Sequence, residues 1–85
     1  MKVVYSEKFF KNFKDLPKNI QNLFRKQELL FKKNWRDPRL NTKKLVNRDF
    51  LFSFRITRKY RVLFIFMNTD TVLFTRIGHR KNIYE

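Results

Sequence analysis

Five side chains in the last third of the chain are of types that handle phosphate, bases and protons: Arg55, Arg61, His79, Arg80 and Tyr84. Guanidinium forks match phosphate oxygens in pairs. Histidine is the side-chain type that titrates near neutral pH, and His79 is the only one in the chain. A tyrosine can stack on a base or share a proton. The stretch that carries them reads FSFRITRKYRVLFIF over 52–66, then MNTD, then TVLFTRIGHRKNIY over 71–84. Its apolar runs alternate with cations, so strands could bury one face and expose the other.

Alternation fixes how those strands should pair. Phe52, Phe54 and Ile56 share one face, with Ser53, Arg55 and Thr57 on the other. Val62, Phe64 and Phe66 oppose Arg61, Leu63 and Ile65 in the same way. A two-residue loop at Arg58-Lys59 would pair Ile56 with Arg61 and mix the faces. A three-residue loop over 58–60 pairs Thr57 with Arg61, Ile56 with Val62, Phe54 with Phe64 and Phe52 with Phe66. Arg55 and Arg61 then project together from the face away from the core. The third strand, Thr71–Ile77, is less regular. Val72 and Phe74 suit the core, and Leu73 and Ile77 could as well. Leu63, Ile65 and Leu73 are expected on the functional face as an exposed apolar patch of the kind that meets a protein partner. Gly78, the only glycine, is expected to turn the chain before His79. Arg76 reads as a rim residue.

The preceding residues read as support. Val3, Val4 and Tyr5 form a short β-like run. Ser6 is a candidate N-cap with Glu7 in the first turn. Phe9, Phe10, Phe13 and Leu16 fall at helical spacing. Pro17 fits the first position of a second helix, running from about 17 to 34 and presenting Ile20, Leu23, Phe24, Leu30, Phe31 and Trp35. Residues 36–48 are irregular, with a turn at Asp37-Pro38. Leu40, Leu45 and Val46 can anchor that segment, leaving Arg39, Lys43, Lys44 and Arg48 in solvent as phosphate-contact candidates. Arg58, Lys59 and Lys81 join them as candidate RNA-binding residues. The order is β-α-α-β-β-β, an α+β fold with a helical hairpin on one face of a small antiparallel-rich sheet.

Composition narrows the function classes. The 85 residues fit one small domain spanning 1–85, and 11 Phe, 1 Trp and 3 Tyr suit a dense core. No cysteine is present, which removes disulfides, thiolate metal sites and a thiol nucleophile. No apolar run approaches the ~18 residues of a membrane span, and the first ten residues lack a signal-peptide core. A cytoplasmic protein with no metal and no small-molecule cofactor is expected. The net charge of +14 comes from 21 Lys and Arg against 7 Asp and Glu. Solubility needs only about 2–8, so the excess points to an anionic partner, nucleic acid first. An anionic membrane surface or an acidic protein would also fit the charge.

The element order, LPKNIQ (16–21), DPRLNTKKL (37–45), the hairpin R-I-x-x-x-Y-R-V-L-F (55–64) and the ending I-G-H-R-K-x-I-Y (77–84) resemble the RelE/ParE superfamily of type II toxin–antitoxin toxins. The likeness spans essentially the whole chain. It implies a RelE-like microbial ribonuclease-type fold. It also implies a cognate antitoxin with an acidic or amphipathic C-terminal segment, and no membrane partner. The RelE-like branch cuts mRNA in the A site of the 70S ribosome; the ParE-like branch poisons DNA gyrase and is not a nuclease. Within the RelE-like branch, Arg61 matches the arginine at the scissile phosphate and Arg55 a basic residue on the preceding strand. Arg80 matches a C-terminal active-site arginine, and Tyr84 a terminal tyrosine that orients the substrate. His79 stands where some relatives have a general acid. Some relatives also supply a glutamate base from the loop before the hairpin; Asp37–Arg48 contains none.

A metal-independent ribonuclease can use the substrate's 2′-hydroxyl as nucleophile, leaving a 2′,3′-cyclic phosphate and a 5′-hydroxyl. The enzyme removes one proton, stabilises charge on phosphorus and returns a proton to the leaving oxygen. Arg55 and Arg61 suit the second task. The expectation is a ribosome-dependent mRNA endonuclease toxin that inhibits translation. A ParE-like gyrase inhibitor and a non-catalytic basic RNA-binding domain are the alternatives.

Overall fold

A computed structural model describes residues 1–48 and 50–84. The elements are β1 (Lys2–Tyr5), α1 (Glu7–Lys14), α2 (Lys18–Lys33), a 3-10 turn (Pro38–Leu40), β2 (Lys43–Lys44), β3 (Phe52–Arg55), β4 (Tyr60–Phe66) and β5 (Thr71–His79). The five strands form one sheet in the order β1-β5-β4-β3-β2. All neighbouring pairs are antiparallel except β1 with β5. This is the expected α+β architecture, with one addition: two residues of the segment read as irregular, Lys43 and Lys44, form the edge strand β2.

Local signals set the helices. The Ser6 hydroxyl accepts from the Phe9 amide at 3.0 Å and donates to the Thr75 carbonyl at 2.8 Å, so one side chain starts α1 and ties it to β5. Pro17 occupies the N-cap of α2, one residue before the predicted position. Gln21 donates to the Phe13 and Leu16 carbonyls at 2.9 and 3.3 Å, tying α2 to the corner where α1 ends. The buried stripe is narrower than its apolar pattern suggests. Phe9, Ile20, Phe24 and Phe31 are buried, whereas Phe10 and Leu23 are exposed.

Phe31 of α2 is the centre of the core. Its ring lies 5.0 Å from Phe54, 5.0 Å from Phe64 and 5.2 Å from Phe74, one on each of the three middle strands. Trp35 closes one end, edge-on to Phe52 and Phe66. At the other end the Tyr5 hydroxyl donates to Glu28; burial first, then that bond, push the phenol pKa upward. No helix among the described residues is long and apolar enough to cross a membrane.

The β3–β4 register departs from the expected pairing by two residues. The observed pairs are Phe52–Phe64, Ser53–Leu63, Phe54–Val62 and Arg55–Arg61. The loop has three residues as predicted, but they are Thr57, Arg58 and Lys59, between Ile56 and Tyr60. The Ile56 amide donates to the Tyr60 carbonyl at 2.9 Å. Thr57 selects this turn, because its hydroxyl accepts from the Lys59 and Tyr60 amides at 3.1 and 3.2 Å. A two-residue shift preserves which residues share a face. Phe54, Ile56, Val62 and Phe64 lie in the core as expected.

Candidate functional site

Arg55 and Arg61 are direct cross-strand partners, and Arg61 pairs on its other side with Gly78 of β5. These three form a row across the sheet face opposite the helices. The next row is Lys43, Ser53, Leu63 and Arg76. Two adjacent guanidinium groups repel each other unless something anionic lies between them. The Arg61 Nε is buried and finds no hydrogen-bond partner among the described residues. An unpaired buried donor is costly, so this row is primed for an anion. Above Gly78 a β-carbon would meet nothing within 4 Å. Gly78 does not turn the chain as expected: it lies inside β5 and has no positive φ. Its contribution is open space beside Arg61.

Of the apolar patch expected on this face, Leu63 is buried, whereas Ile65 and Leu73 are half-buried. Leu63 is 2 % exposed and forms a second buried cluster with Leu51 and Ile83, flanked by Leu45 and Ile65. Two segments cover it. The Leu45 amide donates to the Leu51 carbonyl at 2.8 Å, which closes the β2–β3 hairpin over the cluster. The C-terminal turn folds back from the other side. The Arg80 amide donates to the Lys59 carbonyl at 2.7 Å, and the Asn82 and Ile83 amides to the His79 carbonyl at 3.0 Å each. Ile83 thereby drops onto Leu63, and Arg76 donates to the Ile83 carbonyl at 3.4 Å. Arg80 and Tyr84 are both exposed in this turn, and the Arg80 amide ties its start to the β3–β4 loop.

His79 takes a different direction. Leu63 pairs with Arg76 but Phe64 pairs with Phe74, so Thr75 is an extra residue in β5. The bulge reverses the alternation. Val72, Phe74 and Ile77 all lie in the helix-side core, which explains why this strand resisted assignment. His79, two residues after Ile77, consequently faces the helix side, as does its partner Tyr60, whose ring it meets edge-on at 5.3 Å. The His79 Nδ1 accepts from the Lys81 amide at 3.1 Å. His79 lines a cleft of about 300 Å³ with Lys8 and Asn12 of α1, its C-cap Asp15, and Asn82, and Arg76, Gly78 and Ile83 reach the same cleft. The sequence placed His79 with the arginines; the bulge separates them across the sheet.

The auxiliary cations divide in the same way. Arg58 and Lys59 are exposed in the hairpin loop, and Lys81 is exposed in the turn beside Arg80. Lys43 shares the arginine face through its pairing with Ser53, whereas Lys44 opposes Phe52 and faces the helix side. Arg48 is exposed in the β2–β3 connection. Arg39 is already engaged: its Nε and Nη2 donate to Asp37 at 3.0 and 2.8 Å. That side-chain bonding holds the Asp37 carboxyl down at about 2 and pushes the Arg39 guanidinium upward. Gln27 escaped sequence reading. It donates to the Arg55 carbonyl at 3.0 Å and the Arg39 carbonyl at 3.3 Å, bracing the arginine strand from the helix side. Its only signal was being a polar residue within an apolar stripe. No cluster of metal-binding side chains occurs among the described residues.

No protein-family model and no curated protein sequence matches the chain. Solved structures do. The chain is similar to the RelB-RelE antitoxin-toxin complex of Methanococcus jannaschii at 25 % identity, covering 96 % of this chain and 95 % of that one, with a TM-score of 0.77. It is similar to the DinJ-YafQ toxin-antitoxin complex of E. coli at 13 % identity, covering 99 % and 97 %, with a TM-score of 0.79. It is similar to the archaeal RelE-RelB complex of Pyrococcus horikoshii at 16 % identity, covering 95 % and 96 %, with a TM-score of 0.74.

Proposed function

We propose that this chain, which has the fold of the RelE/ParE toxin superfamily, is the toxin of a toxin–antitoxin pair and cleaves mRNA on the ribosome. The observation that carries the reading is the Arg55–Arg61–Gly78 row: two adjacent guanidinium groups, one with a buried donor unpaired among the described residues, beside open space. A phosphodiester fits that arrangement. Its oxygens neutralise the arginine pair and satisfy the Arg61 Nε. As the 2′-oxygen bonds to phosphorus and the P–O5′ bond breaks, the added charge on the phosphoryl oxygens strengthens these same hydrogen bonds. The 2′-hydroxyl proton leaves as the bond forms, and O5′ departs with a proton. Tyr84 closes the arginine side through the turn that Ile83 anchors, and Arg80 adds a third cation there.

Among the described residues the arginine row carries no carboxylate, and His79 faces the helix side. In this reading the arginines stabilise charge, and the ribosome's placement of the mRNA supplies alignment. An acidic antitoxin segment lying on the same face would neutralise it in the cytoplasm. Primer extension tests the reading: fresh 5′ ends are expected on actively translated mRNA and none on the same RNA free of ribosomes. Equal cutting of both removes the ribosome dependence. Intact mRNA together with gyrase-linked DNA breaks would instead identify a gyrase poison.

A further inference from the structure

A second cleft, of about 500 Å³, opens beside the outer edge of the sheet on its helix side. Trp35 and Phe52 line it, edge-on to each other at 6.1 Å and 82°. The Arg36 guanidinium lies over the indole, 4.7 Å from its centroid. Thr42 donates to the Trp35 carbonyl at 2.7 Å, fixing the wall of the cleft. Lys44, opposite Phe52 in the ladder, stands at its mouth, and Asn41 offers an amide with both donor and acceptor. Asp37 also lines the cleft, and its carboxylate is neutralised by Arg39, whose Nη2 lies 2.8 Å away.

A half-buried indole, a stacked guanidinium, an adjacent lysine and an amide together fit one nucleotide of a single strand. Bases stack on aromatic and guanidinium planes, and the phosphate takes the cation. A carboxylate-rich peptide would use the cations but leave the rings unused. The path from the arginine row is continuous, because the two residues of β2 point to opposite sides. Lys43 faces the arginine row's side and Lys44 faces the cleft. A strand leaving Arg55 and passing over the β2 edge meets them in turn.

We infer that this cleft is a second subsite for single-stranded RNA, stacking a base at Trp35–Arg36 and holding its phosphate at Lys44. The inference rests on the reading that the protein works on RNA, yet uses none of the residues assigned to cleavage. Trp35 is the only tryptophan of the chain, so its emission reports on this cleft. The full chain titrated with a short single-stranded oligoribonucleotide should show saturable quenching. Lys44→Glu should weaken the apparent affinity about tenfold, the effect of losing and reversing a close charge at a phosphate. Lys26→Glu makes the same charge change on the exposed side of α2 and should leave affinity within about twofold. No quenching, equal weakening by both glutamate variants, or equal quenching by polyphosphate of matched charge would overturn the subsite. Equal quenching by oligoglutamate would assign the cleft to an acidic protein segment instead. Failure of the cleavage reading would appear in primer extension while the titration stood.

Discussion

The two faces of the sheet are built on opposite terms. On the helix face, Phe31 meets the rings of Phe54, Phe64 and Phe74 on three strands at once, and Phe9 and Phe24 pack against Phe74 beside it. On the other face, three buried residues, Leu51, Leu63 and Ile83, hold down two connecting segments beside a row of arginines. The first face carries stability with little exposed chemistry. The second keeps just enough apolar contact to fix its cations in place, and leaves a buried donor unpaired among the described residues. A chain this small and this cationic can tolerate such a face only because the aromatic side compensates.

The contrast can be broken, and the largest effect should come from the aromatic face. Phe31→Ala removes the central ring and should destabilise the fold by roughly 3–5 kcal/mol, read by urea unfolding; a loss under about 1 kcal/mol would contradict its central place. Arg61→Ala should do the converse. Cleavage of translated mRNA should fall about 10²–10³-fold, while the fold should gain about 1 kcal/mol as the buried unpaired donor is removed. His79→Gln, on the far side of the sheet, should retain cleavage within a few-fold; a loss as large as that of Arg61→Ala would return His79 to the reaction. Ile83→Ala tests the join between stability and chemistry. It should cost about 2 kcal/mol and also lower cleavage, because the turn carrying Arg80 and Tyr84 loses its anchor; full activity would detach that turn from the site. Gly78→Leu should fold normally but cleave poorly by filling the space beside Arg61. The smallest effect is at Asp37. Its folded pKa lies below the unfolded value, so its contribution is present above the unfolded pKa and is lost as pH falls through about 2. Arg39→Ala should raise the carboxyl midpoint toward the ordinary aspartate range, followed by NMR, with cleavage unaffected.

Much of this was legible in the sequence where side-chain period and strand direction agree. Ser6, Pro17 and the alternation in 52–66 were sufficient to order the elements and to place Arg55 and Arg61 together. The register slipped by two because the turn is chosen by the Thr57 hydroxyl, a local bond that apolar pairing does not report. The fate of Leu63 was hidden for another reason: its cover comes from Leu51 and Ile83, segments distant in sequence with no periodicity of their own. His79 was misplaced by one bulged residue, Thr75. An extra residue within a strand leaves composition unchanged and inverts every side chain after it.

The position of β5 sets an order of assembly. It lies between β1 and β4, so the first strand of the chain has no place in the sheet until the last strand is present. The β3–β4 hairpin can bring Arg55 and Arg61 together early through local contacts, but Gly78, the Arg80 turn and Ile83 arrive only afterwards. During synthesis the arginine pair therefore exists first without its neighbours. The row of Arg55, Arg61 and Gly78 is completed by the same event that lets β1 join the sheet.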